Sequence, residues 1–172
     1  MAIPVIETDR LRLRGWEERD FPAYAALRAD ADAQAYVGPV MTRSQAWGRF
    51  CLDLGFWALR GYGIFAIADK ASDEALGYTG IWFPLYFDEP ELSWSLFPGW
   101  TGRGYATEAA SAARGWAYET LDLPPLMSLI VPDNLASKAV AKRLGAVFEK
   151  ETMLDGEPRH LYRHPKLPKS TP

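Results

Sequence analysis

The chain has 172 residues, 48% hydrophobic and 24% charged, enough for one hydrophobic core without disulfide or metal staples. Nineteen basic residues against 22 acidic ones leave a formal net charge of −3, so no basic field argues for nucleic acid as a partner. A single cysteine, no Cys/His cluster, no apolar run of ~18 residues and no apolar leader exclude an internal disulfide, a metal site and a membrane span, and predict a cytoplasmic protein.

From the N-terminus, Leu11 and Leu13 alternate with Arg10, Arg12 and Arg14, which predicts a half-buried strand. Asp20 is placed to cap a helix holding Phe21, Tyr24, Ala25 and Leu27 and ending near Asp30. Thr42 or Ser44 opens a second helix with Trp47, Phe50, Cys51, Leu54 and Trp57 at helical spacing and a stop near Gly61; Cys51 is expected to be a buried thiol. Residues 62–70 and 76–84 read as the two strands of a hairpin, and 91–97 as another strand after the break at Asp88-Glu89-Pro90.

Next, Ala106, Ala109, Ala110, Ala113 and Ala117 line one face of a helix, small enough to lie close against a sheet. Residues 126–131 form a short buried strand. Residues 134–144 form a helix closed by Gly145, and two strands at 146–153 and 158–164 finish the pattern. His160 and His164 read as surface or sheet residues without a role. This order predicts an α+β fold in one domain over residues 1–164, with a parallel step across the alanine-rich helix and a loose tail at 165–172.

The most informative stretch is 97–109, FPGWTGRGYATEA, where Gly102 and Gly104 stand between a strand and that helix. Glycines before a helix N-terminus let backbone approach an anion, which the first-turn N–H groups and the helix dipole then hold. A Walker loop needs a lysine, and none lies between Lys70 and Lys138. A dinucleotide fingerprint needs a third glycine where Thr107 stands. A cradle for the pyrophosphate of an acyl-coenzyme A remains, beside the plain alternative of a strand ending in an ordinary loop.

Three segments in order resemble the GCN5-related N-acetyltransferases, in the branch of the ribosomal-protein N-terminal acetyltransferases: TDRLRLR at 8–14, ELSWSLFPGWTGRGYATEA at 91–109, and NLASKAVAKRLGAVF at 134–148. The resemblance spans residues 6–163. It implies the fold of that family, a mixed and mostly antiparallel sheet with splayed central strands flanked by helices, and acetyl-CoA as co-substrate. Two positions depart from it. Gly99 stands where the family often begins its phosphate loop with Gln or Arg, and Ala141 stands where several subfamilies carry a tyrosine acid.

Residue by residue, the resemblance places main-chain contacts to the thioester and pantetheine at Leu96 and Phe97, with an N–H near Phe97 facing the oxyanion. The pyrophosphate falls to Gly102, Arg103, Gly104, Tyr105, Ala106 and Thr107. Asn134 is an N-cap by its position, to which the resemblance adds a pantetheine contact. Ser137 is a hydrogen-bond donor near the coenzyme's sulfur, or else a surface serine. Glu91 is the candidate base for the amine, or else a solvated strand-end carboxylate. If 91–97 alternates, Glu91, Ser93, Ser95 and Phe97 share a face opposite Leu92, Trp94 and Leu96.

Trp57, Trp82, Phe83, Tyr86 and Trp94 line an acceptor pocket or fill the core. The expected activity is direct transfer of an acetyl group to a primary amine, on a protein N-terminus or a small molecule. The rival is an acyl-CoA-binding sensor, and relatives leave room for a homodimer.

Overall fold

The computed structural model describes residues 2–166; most of the expected tail, 167–172, lies outside them. β1 (Ile6–Glu7) and β2 (Leu11–Arg14) form an N-terminal hairpin that buries Leu11 and Leu13 completely. Arg14 is buried too, against the simple alternation, because Asp20 meets its guanidinium in two bonds of 2.7 and 3.0 Å.

Asp20 consequently does not cap α1 (Phe21–Ala29) with its side chain. Its carboxylate is spent on Arg14 and on the Glu17 N–H, closing a one-turn 3-10 helix that runs into α1. A four-residue helix, α2 (Ala31–Gln34), follows, capped by Asp30 and too short to leave a periodic trace in sequence. In α3 (Arg43–Arg60), Thr42 and Gln45 cap each other's backbone, and Gly61 ends the helix in the left-handed region. Its inner stripe is Ala46, Phe50, Asp53 and Trp57. Cys51 lies about 100° round from Phe50 and is exposed, so the expectation of a buried thiol is corrected.

The sheet order is β1-β2-β3-β4-β5-β6-β8-β7, with β3 (Ile64–Asp69), β4 (Ala75–Trp82), β5 (Glu91–Leu96), β6 (Met127–Ile130), β7 (Val147–Leu154) and β8 (Glu157–Arg163). Every neighbouring pair is antiparallel except β5 and β6, which α4 (Tyr105–Thr120) joins as a parallel crossover. Ala109, Ala110, Ala113 and Ala117 of α4 are fully buried against one face of the sheet, beside Leu11, Leu13, Phe65, Ile67, Leu76 and Leu92. The other face packs Ala66, Tyr78, Trp82 and Phe97 under α1 and α3. α5 (Leu135–Arg143) ends at Gly145, where the Ala146 N–H reaches back to the Ala141 carbonyl at 2.9 Å.

Candidate active site

β5 and β6 pair at one position only, Glu91 with Met127, where the Met127 N–H reaches the Pro90 carbonyl at 3.2 Å. Beyond it, side chains take over the ladder. The Glu91 carboxylate accepts the Leu129 N–H at 3.0 Å, and the Ser128 hydroxyl donates to the Leu92 carbonyl at 2.6 Å. The two strands then part with these main-chain groups satisfied rather than orphaned.

Behind Ser128 sits His164, which is fully buried at the end of β8, so of the two expected places, surface or sheet, the sheet is the one it takes. Burial, with Arg114 and Arg163 adding to it, pushes its imidazole down to about 3. Because Ser128 donates to Leu92, the neutral ring must donate its Nε2 proton to Ser128 at 2.9 Å, an assignment made from the network. His164 therefore braces the split.

The gap opens on the α4 side into a groove of about 1050 Å³. Leu96, Gly102, Gly104, Ala106 and Thr107 line it together with Asn134, Ser137 and Val140 of α5. Gly104 is the N-cap of α4 at φ 82°, and the first helical bond runs from Glu108 N–H to its carbonyl at 3.1 Å. The N–H groups of Tyr105, Ala106 and Thr107 therefore lie in the first turn, where the helix itself offers them no acceptor. The Thr107 Oγ1 is enclosed and has no partner among the described residues, so a hydroxyl at the groove is left for an acceptor. These features fit a coenzyme's pyrophosphate.

Arg103 and Tyr105 contribute backbone to this loop, because their side chains are engaged elsewhere. The Arg103 guanidinium lies 5.0 Å over the Trp100 ring, and the Tyr105 ring carries Arg10 at 4.6 Å. Arg10 also pairs with Glu108 at 2.6 Å and reaches the Arg103 carbonyl at 3.0 Å, tying loop to helix. Asn134 accepts the Ser137 N–H at 3.0 Å and is the N-cap of α5.

Phe97 follows β5. Its N–H donates to the Leu76 carbonyl at 2.7 Å, its carbonyl accepts from Trp100 at 3.1 Å, and its ring is buried in the core on the α1 and α3 face. Antiparallel pairing of β5 with β4 uses the main-chain groups of alternate residues. Those of Leu92, Trp94 and Leu96 consequently face the gap. Gly99, at φ 88°, follows Pro98 in the turn that Trp100 closes on Phe97; a positive φ at that third position is what a type II turn requires.

Residues 10–147 match the family model of the acetyltransferase (GNAT) domain. The chain belongs to the GNAT family of acetyltransferases. A solved acetyltransferase from Agrobacterium tumefaciens str. C58 is 41% identical, covers 95% of each chain and superposes with a TM-score of 0.87. An uncharacterised N-acetyltransferase of Bacillus subtilis (strain 168), YnaD, is 28% identical over 81% of each chain. The ribosomal L7/L12 alpha-N-protein acetyltransferase RimL, solved in complex with coenzyme A, superposes with a TM-score of 0.77 over 94% of this chain and 97% of its own. At 19% identity that likeness is one of fold.

In this GNAT domain the groove meets a second compartment, a chamber of about 480 Å³ on the other side of β5, with Tyr36, Val37, Trp94, Asn134 and Ser137 bordering both. Glu91 stands on the chamber wall, and its enclosure pushes the carboxyl up to about 7 although the Leu129 N–H, Arg159 and Arg49 pull the other way. Of the expected aromatic lining, Trp82, Tyr86 and Trp94 border the chamber. Trp57 is core, donating to the Ile64 carbonyl at 3.0 Å, and Phe83 stays off the wall.

The chamber also gathers Arg28, Arg49, Asp53 and Arg159, which sequence reasoning missed. The trace they leave is polar residues on buried helix faces: Tyr24 and Arg28, then Arg49 and Asp53, each four apart.

Proposed function

We propose that this acetyltransferase uses acetyl-CoA to acetylate a primary amine by direct attack, with Glu91 as the base and an α-amino group as the acceptor. The observation that carries the reading is the seat of Glu91, a carboxyl raised to about 7 in a chamber that meets the coenzyme groove. An α-ammonium with a pKa of ~7.7 gives its proton to such a base at a cost of ~1 kcal/mol, whereas a lysine ammonium at ~10.4 costs ~4.6.

Acetyl-CoA supplies the activated acetyl group. The first-turn N–H groups of α4 and the Thr107 hydroxyl hold its pyrophosphate, and gap-facing main chain at Trp94 and Leu96 aligns the pantetheine arm and the thioester. One fixed N–H at the carbonyl oxygen is worth ~2.7–4 kcal/mol to the transition state. Ser137, where the compartments meet, donates a hydrogen bond to the departing sulfur. Alignment of amine and thioester supplies much of the remainder.

The test is thiol release from acetyl-CoA, scanned over α-amines and ε-amines between pH 6 and 9. α-Amines are expected to turn over, with a rate that climbs as pH rises through about 7. Coenzyme A at 100 times its dissociation constant should stabilise the fold by ~2.7 kcal/mol. Stabilisation without thiol release for any amine would make the protein an acyl-CoA-binding sensor and end the transferase reading.

A further inference from the structure

Arg28 is 4% exposed, and a buried guanidinium is costly unless its charge and its donors are met. Its neighbours meet them incompletely. Nη2 donates to the Tyr24 hydroxyl at 3.2 Å, Nη1 reaches the Gln34 Oε1 at a long 3.4 Å, and the rings of Tyr24 and Tyr78 lie 5.0 and 5.1 Å away. Nε is buried and has no partner, and among the described residues no carboxylate forms an ion pair with Arg28. The carboxylate nearest in this network, Asp53, is committed to Arg49 Nε at 3.1 Å and the Tyr24 hydroxyl at 3.0 Å. Two guanidinium groups therefore share one buried carboxylate.

The rest of the chamber does not restore the balance. Arg159 lines it, and among the described residues its guanidinium bonds only its neighbour's carbonyl, at 2.8 Å from Pro158. Burial pushes the Glu91 carboxyl up to about 7, which weakens it as a countercharge near neutrality. Asp155 and Glu157 stand at the exposed rim. The chamber lining sets Arg28, Arg49 and Arg159 against Asp53, Glu91, Asp155 and Glu157, so the unmatched positive charge is local to the buried Arg28 guanidinium.

We infer that the chamber takes an amine that carries a carboxylate, a free amino acid or a small compound of that kind, with Arg28 holding the carboxylate through its unspent donors. The inference rests on the acetyl-transfer reading for the fate of the amine, but the carboxylate site stands on its own geometry. Arginine's planar fork matches a carboxylate, and the ligand's charge would supply the partner that the protein withholds. A protein N-terminus fits less well, because its α-carboxyl is tied up in a peptide bond.

The experiment uses the full chain saturated with coenzyme A or acetyl-CoA and compares free L-amino acids with their carboxamides and with short N-terminal peptides. Binding is read by thermal shift and transfer by thiol release. At least one free acid should bind and turn over about tenfold or more better than its carboxamide. Arg28→Gln and Arg28→Lys should collapse that ratio toward one, while the stabilisation by coenzyme A persists.

If Arg28→Gln does not fold, the ratio in the parent protein and in Arg28→Lys decides. Carboxamides or peptides handled as well as acids would overturn the inference, as would an acid preference that survives Arg28→Lys or a panel in which no acid binds. Arg28-dependent binding of acids without thiol release would sink the transferase reading and leave this site standing. Release without any preference for acids would do the reverse.

Discussion

The groove proposed for the coenzyme and the chamber proposed for the acceptor share a wall at Trp94, Asn134 and Ser137 and are made of different material. The groove is largely main chain: two glycines with positive φ, a helix N-terminus, and alanines that let α4 lie on the sheet. The chamber is side chain, assembled from α1, α3, β4, β5 and β8, with charges that only partly cancel. A site of the first kind needs little more than a local turn and reads as a motif. A site of the second kind exists only after residues far apart in sequence have been packed together.

The strongest break in this comparison is Glu91→Gln. It should lower kcat for α-amines by ~100-fold or more and remove the limb near pH 7, with KM for acetyl-CoA nearly unchanged. The same change has a signature in stability. The Glu91 carboxyl moves from 4.5 to about 7 on folding, so the folded state keeps the proton more tightly than the unfolded state. The contribution of Glu91 to stability is full below 4.5, falls as pH rises toward about 7, and is flat above it. Above pH 7 the glutamine variant should therefore be more stable than its parent, by up to ~3 kcal/mol in denaturant melts. An unchanged pH–rate profile would remove Glu91 as the base.

Next in size is Ser128→Ala, which acts on the wall between the two sites. It would leave the Leu92 carbonyl and the His164 Nε2 proton unpaired in a buried setting, at ~2–3 kcal/mol of stability measured in urea. A melt within ~0.5 kcal/mol of the parent would show that the split needs no such brace.

On the groove side, Gly102→Val puts a β-branched residue at φ 77° and thickens the backbone where the pyrophosphate must approach. KM for acetyl-CoA should rise about tenfold and kcat should hold, with ~1–2 kcal/mol of strain. Thr107→Val is the mildest test. Because its hydroxyl has no partner among the described residues, the melting temperature should stay put while KM for acetyl-CoA rises about fivefold. A lower melting temperature with an unchanged KM would make that hydroxyl internal to the fold.

What was legible in the sequence follows the same division. The Thr42 cap, the Gly61 and Gly145 stops, the alanine face of α4 and the parallel step across it are local signals, and each has its counterpart in the structure. The misses involve partners far away. Asp20 looked like a cap until Arg14 claimed its carboxylate, and His164 looked to be without a role until Ser128 and Arg114 met its ring. In each case a tertiary hydrogen bond outranked the local role that the residue type suggests.

By itself the sequence determined the order of the longer helices and strands and the glycine turn that opens α4, because caps, periodicity and glycine geometry act over a few neighbouring residues. Only the tertiary structure decided where β5 and β6 separate, which main-chain groups face the gap, and that Arg28 and Glu91 face one chamber. Those outcomes depend on which buried charges and backbone groups find partners, and the partners are supplied by elements that the chain brings together only on folding.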